Sequence, residues 1–243
     1  VLDVDFGVIG EGERTIVELA AAVGNGTDPG KVDGLGFRDA DGRFVQTAPR
    51  AVIRDIDSIP WPDYDGLGIG AYMAGQRRSN HYLLDIDARS RTLPMIASRS
   101  CPFNCTFCFH PSGRLYRKRS LDGLFAEIDH LVAAHDPAMI TFLDELFALK
   151  KSDILDFCAR IRPYGLKWMA SLHVTTVDEE AIVAMRDAGC RGISYGIENV
   201  SESVLRSMNK KTTRAHIERA LELTYRHRIA IQGNFIFGDP AES

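Results

Sequence analysis

Cysteine is scarce in this 243-residue sequence: there are five, and none in the first 100 residues. That excludes the disulfide scaffold of a small secreted domain. No apolar run approaches the ~20 residues of a membrane-spanning helix, and the opening residues lack the pattern of a secretory or transit signal. Neither sign of charge dominates, since 29 basic and 33 acidic residues leave a net −4 spread along the chain. Bulk charge therefore points to no polyanion, and nucleic acid is not an expected partner. Apolar residues at 45% and charged residues at 26% are ordinary for a folded chain, so disorder is excluded as the dominant state.

The hydrophobic pattern divides the sequence. Val1 to Gly10 reads as a buried strand, and Ile16, Leu19, Ala20 and Val23 then fall at helical spacing. Leu35–Arg38 and Arg43–Thr47 flank Asp41-Gly42, a hairpin signal. Ile59-Pro60-Trp61-Pro62 marks a boundary, and residues 61–92 read as a linker with local structure. From Leu93 onward, short apolar runs alternate with amphipathic stretches. Strands are expected at Leu93–Ala97, Ala138–Leu143, Lys167–Ala170, Gly192–Ile197 and Ile229–Phe237. Helices are expected between them, one opened by a capping box of Thr176 and Glu179 and ended by Gly189. Five βα-type units in succession make an α/β fold with a parallel sheet, open or curled into a barrel. The sequence begins with Val rather than Met and stops just after a strand; the expectation is a piece of a longer chain, inactive alone because an unclosed barrel exposes strand edges.

Three of the five cysteines, Cys101, Cys105 and Cys108, lie within eight residues, directly after a strand. Such crowding points to a metal in a reducing compartment, hence the cytoplasm. Thiolates select zinc, copper(I) or iron–sulfur clusters. A closed zinc site or an electron-transfer [4Fe–4S] cluster takes four ligands, and only three are local here. Cys158 and Cys190 fall in or beside helices and read as core residues. Three thiolates on a four-iron cluster leave one iron open, the position that chemistry needs.

The loop Cys101-Pro-Phe-Asn-Cys105-Thr-Phe-Cys108 resembles the signature of the radical SAM enzymes. In that family the three cysteines hold a [4Fe–4S] cluster, and S-adenosylmethionine (SAM) chelates the fourth iron through its amino and carboxylate groups. The resemblance places Phe107 against the adenine. Phe142-Leu143-Asp144-Glu145 follows the second strand, where the family contacts the SAM amino group. From the residues alone, these carboxylates either open a helix or bind an ammonium; the resemblance puts Glu145 first and Asp144 second. His173 occupies a position where many relatives carry arginine, and it reads equally as a core histidine. Glu198 matches a polar residue that meets the ribose hydroxyls, or else it is simply an acid ahead of a helix. Leu205, Met208 and Lys210 match a further family stretch. Asn234-Phe235-Ile236-Phe237-Gly238-Asp239-Pro240 resembles the adenine cradle, with Ile236 and Gly238 as contacts and Gly238 permitting close backbone approach. These residues lie at strand carboxyl ends, where parallel α/β folds place their sites.

The front part is similar to the end of the Rossmann-like cobalamin-binding domain that precedes many radical SAM cores, carried by Gly10-Glu11-Gly12-Glu13-Arg14-Thr15 and the helix after it. The cobalt-ligating Asp-x-His-x-x-Gly motif is absent, and no histidine precedes His81. The resemblance therefore implies residues 1–60 as the C-terminal part of that domain and connector, 61–92 as linker, and 93–243 as a partial (β/α) radical SAM barrel. It implies a [4Fe–4S] cluster and SAM as cofactors, with cobalamin in that branch. A flavodoxin or ferredoxin would be the one-electron donor. The chemistry implied is a 5′-deoxyadenosyl radical acting on a small-molecule substrate, with methylation or a related modification as the outcome.

Two other readings stand beside this one. A methylthiotransferase acting on tRNA or protein carries a second cysteine set in its front domain, which residues 1–100 do not supply. A non-catalytic zinc or iron–sulfur module is the other. Arg114, Arg117, Lys118 and Arg119 form a basic cluster that reads as a solvated face, with acidic-substrate binding as the alternative.

Overall fold

The structure, a computed structural model, describes residues 4–76 and 91–242. Residues 1–3 of the expected first strand and 77–90 of the expected linker lie outside the described residues.

The front part is a small unit with its own core. Strand β1 (Phe6–Val8) leads into helix α1 (Glu13–Gly24), and then β2 (Leu35–Arg38) and β3 (Phe44–Gln46) form the expected hairpin. The three strands make an antiparallel sheet in the order β1-β2-β3. Leu19, Ala22, Val32 and Leu35 pack beneath it, with Phe6 and Phe37 against them. The first strand is not the buried one expected: Val8 and Ile9 are 39% and 41% exposed, because β1 is an edge strand with a single neighbour. Between this unit and the core, a 3₁₀ turn at Ile56–Ser58 and helix α2 (Ile69–Gly75) give the linker region its local structure.

The core begins at β4 (Thr92–Met95). Two-residue strands β5 (Ser98–Arg99) and β6 (Arg117–Lys118) follow, and then α3 (Leu121–His135), capped by the Ser120 side chain. The βα rhythm continues as β7 (Met139–Phe142), α4 (Lys151–Ile161), β8 (Lys167–Leu172), α5 (Glu179–Asp187) and β9 (Cys190–Glu198). It ends with α6 (Glu202–Ser207), α7 (Arg214–Arg226) and β10 (Ala230–Phe235). The five long strands form one parallel sheet in the order β4-β7-β8-β9-β10, each beside its predecessor. That order is the singly wound one of a barrel wall, without the reversal of a doubly wound sheet.

Burial supports the same description. Along β8, Trp168, Ala170 and Leu172 are buried while Lys167, Met169 and Ser171 are only partly so. Sheets covered by helices on both faces read as continuous apolar runs; alternation leaves one face of β8 open toward the barrel axis. The covered face holds the main core, in which Phe142, Phe147, Phe157 and Trp168 pack with centroids 4.9–6.4 Å apart. Fully burying one such ring contributes roughly 1.5–3 kcal/mol. Cys158 and Cys190 sit in this core, as expected, and burial pushes the Cys158 thiol up to about 12 and the Cys190 thiol higher still.

One capping assignment is corrected. Asp178, not Thr176, caps α5, accepting a hydrogen bond from the Ala181 amide. Thr176 belongs to the preceding turn, where its amide donates to the His173 carbonyl at 2.9 Å. Gly189 does end the helix, at φ +92°, where a Cβ would lie 2.2 Å from the Leu166 carbonyl oxygen.

Candidate functional site: a cysteine loop at the strand ends

The three clustered cysteines lie on a loop that leaves at β5 and returns at β6. The two strands close its stem as an antiparallel ladder pairing Ser98 with Lys118 and Arg99 with Arg117. Ser100 enters the loop at φ +66°, a left-handed conformation uncommon for residues other than glycine. Its hydroxyl donates to the Ser112 carbonyl at 3.0 Å, which ties the start of the loop to its end. The cysteine-bearing part is held against the ends of β8 and α6. The Phe103 ring stacks on His173 with centroids 4.4 Å apart and planes 22° apart. The Thr106 amide donates to the Met208 carbonyl at 3.0 Å, and the Asn209 side-chain amide donates to the Asn104 carbonyl at 2.7 Å.

Cys105 is buried, Cys101 half-buried and Cys108 exposed. All three thiols are pushed above their ordinary range, first by burial. Cys101 is raised further by Cys105, Cys108 and Glu145, and Cys108 by Glu145 and Cys105. Metal-free, the loop therefore resists becoming three thiolates; a bound cation reverses that, because its own charge outweighs the neighbours. Among the described residues, no three Cys, His, Asp or Glu side chains converge enough to hold a single metal ion. A lone zinc needs its thiolates converged at bonds of ~2.3 Å, whereas an iron–sulfur cluster is bound through separate irons. Three thiols on one loop, with Cys158 and Cys190 in the core, make a three-ligand donor set that suits a [4Fe–4S] cluster with one iron left open.

The other expected residues surround this loop at the ends of the strands. Asp144 is buried: its Oδ1 accepts from the Ala97 amide at 2.9 Å, the Ser98 hydroxyl at 2.8 Å and the Ser98 amide. Its Oδ2 has no partner among the described residues, and burial pushes the carboxyl up to about 6 despite these donors. Glu145 is exposed and near enough to raise Cys101 and Cys108. His173 is buried, with Nδ1 2.7 Å from the Thr175 hydroxyl and Nε2 without a partner among the described residues. Burial, then Lys210 and His216, push it down to about 4, so it is neutral at pH 7.

Glu198 ends β9 at φ +63°, and its Oε1 receives the Lys210 ammonium at 3.0 Å. Its carbonyl accepts the Ile236 amide at 2.9 Å, which carries the sheet edge on to Gly238 at φ +90°. The Gly238 amide donates to Glu242 at 2.6 Å, and a Cβ at Gly238 would meet no atom within 4 Å. The open space and left-handed backbone show what the glycine provides. Phe107, 40% exposed, stands on the cysteine loop itself.

The basic cluster divides: Arg114 and Lys118 are exposed, as a solvated face would be, whereas Arg117 and Arg119 turn inward onto carboxylates. Arg117 is buried on Glu11, Lys118 pairs with Asp153 at 2.5 Å, Arg119 with Glu127 and Asp57, and Arg114 with the Asn104 side chain. Sequence reasoning did not single out Phe103, Asn209 or the Glu11–Arg117 pair. For Asn209 the signal was weak, an Asn in a turn, since Asn tolerates φ near its observed +51°.

Taken together, these features define a singly wound parallel α/β wall with a three-cysteine loop at its carboxyl edge, the arrangement of an iron–sulfur enzyme core. The Radical SAM superfamily profile matches residues 95–243, and the chain belongs to that superfamily. Two curated relatives match nearly the whole chain. An uncharacterized methyltransferase of Pyrococcus horikoshii is 32% identical, over 99% of this chain and 50% of its own length. An anaerobic magnesium-protoporphyrin IX monomethyl ester cyclase of Rubrivivax gelatinosus is 30% identical, over 97% of this chain and 42% of its own. The chain spans about half or less of the length of these relatives. Among solved structures, the cobalamin-dependent radical SAM enzyme OxsB with aqua-cobalamin bound superposes with a TM-score of 0.76 at 22% identity, covering 93% of this chain and 32% of that one. TsrM of Kitasatospora setae, with cobalamin and a [4Fe-4S] cluster bound, gives 0.72 at 21%, covering 98% and 47%. At these identities the two structures speak for the fold. No helix among the described residues is long and apolar enough to cross a membrane.

Proposed function

We propose that the protein is a cobalamin-dependent radical SAM enzyme that methylates, or otherwise modifies by radical chemistry, a small-molecule substrate. One observation carries the reading: the site has three thiols and no fourth, because Cys158 and Cys190 are buried in the hydrophobic core. Three ligands leave one iron of a [4Fe–4S] cluster open to SAM. When bound and reduced, the cluster supplies the electron that cleaves SAM.

Cys101, Cys105 and Cys108 would hold the cluster. Glu145, exposed beside Cys101 and Cys108, would be the first carboxylate to receive the SAM amino group, with Asp144, whose Oδ1 is engaged by Ala97 and Ser98, second. Glu198, held by Lys210, would meet the ribose hydroxyls. Phe107, Ile236 and Gly238 would contact the adenine, and His173, stacked on Phe103, would support the cysteine loop beside the SAM site. Residues 1–60 are read as the end of a cobalamin-binding domain with its connector, 61–92 as the linker and 93–243 as the core. A flavodoxin or ferredoxin in the cytoplasm supplies electrons. The two relatives, one a methyltransferase and one a cyclase, support this range of outcomes.

The test uses the full-length protein, reconstituted anaerobically with iron and sulfide. About four irons per chain are expected, with 5′-deoxyadenosine released from SAM under dithionite. Cys105→Ala should abolish both. Zinc in the anaerobically purified protein, or iron loading untouched by Cys105→Ala, would overturn the reading.

A further inference from the structure

The sequence motif Gly10-Glu11-Gly12-Glu13 has no part in the function proposed above, yet the structure buries it against the stem of the cysteine loop. Glu11 and Arg117 lie 106 residues apart and meet at 2.7 Å, with side chains 3% and 4% exposed. Glu11 Oε1 also receives Arg99 at 3.2 Å, and its Oε2 accepts the Ile53 amide at 2.7 Å. Glu13 takes the other arm of Arg99. Arg99 and Arg117 are the paired residues that close the loop.

Arg117 reaches both ways. Toward the front part it donates to Glu11 and to the Ile53 carbonyl at 2.7 Å. Toward the loop it donates to the Leu115 carbonyl at 3.0 Å, the Ser112 carbonyl at 3.3 Å and the Ser100 hydroxyl at 3.2 Å. Ser100 is the left-handed residue immediately before Cys101. A buried guanidinium that lost its carboxylate would be stranded, and would have to swing toward solvent or drag its loop contacts with it.

We propose that Glu11 is a positioning residue for the cysteine loop: through Arg117 and Arg99 it fixes the stem that sets Cys101, Cys105 and Cys108, so the segment preceding the core governs how the cluster is held. The proposal rests on reading this loop as the cluster ligand, and two separate measurements keep the two claims apart. The first is hydrogen exchange on metal-free, full-length protein. Glu11→Gln should speed exchange of amides in 98–118 at least tenfold and leave those of β7, β8 and β9 unchanged. Glu18→Gln is the control, because it breaks a front-part pair with Arg50 that does not touch the stem; it should leave 98–118 unchanged.

The second measurement is the electron paramagnetic resonance spectrum of the reduced, reconstituted protein. Glu11→Gln should broaden the cluster signal and raise the SAM concentration that shifts it about tenfold, and Glu11→Asp should recover part of the loss. In a cycle of Glu11→Gln, Arg117→Gln and the double variant, the acceleration of exchange in 98–118 for the double should be smaller than the product of the two single accelerations, because both act partly through one contact; the double variant also serves should the stranded arginine prevent folding. Unchanged exchange in 98–118, an equal effect from Glu18→Gln, uniform acceleration across the sheet, or additive effects in the double variant would each overturn the proposal. Failure of iron loading with the exchange result intact would sink the cluster reading and leave the clamp standing.

Discussion

Lys210 donates to Glu198 across 3.0 Å in a pair whose side chains are 8% and 10% exposed, at the tip of the longest strand of the sheet. Gly196 makes room for it: a Cβ there would lie 2.4 Å from Glu198 Oε1 and 2.9 Å from Lys210 Nζ. Breaking a buried pair from one side leaves an uncompensated charge and costs about 3–5 kcal/mol. Lys210→Met should therefore destabilise the metal-free protein by that order, and adding Glu198→Gln should restore most of the loss. Urea unfolding midpoints of the two variants check this.

Asp144 and His173 should impose opposite pH slopes on stability. Burial raises Asp144 to about 6, against ~3.9 unfolded. Between these values the unfolded chain has shed its proton and the folded one has not, so stability falls as pH rises through about 4 to 6. His173 is lowered to about 4 by burial and by Lys210 and His216, against ~6.5 unfolded. The unfolded chain then takes up its proton first, so stability falls as pH drops through about 6.5 to 4. Each swing is roughly 3 kcal/mol, and in the wild type they offset.

Single variants should unmask the slopes. Asp144→Asn keeps the Oδ1 acceptor used by Ala97 and Ser98 and removes the buried charge. It should be more stable than wild type at pH 8, and lose more stability than wild type between pH 6.5 and 4. His173→Phe keeps a ring against Phe103 and should show the reverse, gaining stability on acidification. Urea unfolding of metal-free protein at pH 4, 5, 6.5 and 8 separates the two; parallel curves for wild type and both variants would refute the assignment.

Asn209 holds the cysteine loop by one hydrogen bond from a left-handed backbone. Asn209→Gly preserves that conformation and removes the bond. It should leave global stability within about 1 kcal/mol and lower the iron and sulfide retained after reconstitution. Asn209→Ala adds a left-handed penalty of roughly 1–2 kcal/mol, visible in the unfolding midpoint.

The βα rhythm was legible in the sequence because each strand and helix buries its own periodic face, a local pattern. The cysteine loop was legible because its three ligands are neighbours in sequence. The partners of the basic cluster were not, since Glu11, Asp57 and Asp153 are remote, and no spacing rule links Arg117 to a carboxylate in the first turn of chain before α1. Helix α2 escaped because its glycines weaken every local helix signal; it is held by Met73 in the main core. The Thr176–Glu179 pattern matched a capping box, but Asp178 stood two residues nearer the helix, with a side chain that accepts from the Ala181 amide. The family resemblance ranked Glu145 ahead of Asp144, but the sequence did not show that one would be buried and the other exposed. The backbone turns one inward onto Ser98 and the other out toward the thiols.

The junction between the front part and the core is written in ionic script on both sides: carboxylates at residues 11 and 13, guanidiniums at 99 and 117. A chimera that joined this core to a foreign front half would inherit two orphaned cations unless the donor brought matching acids. Swapping modules among relatives is thus constrained less by the length of the tether than by this four-residue handshake.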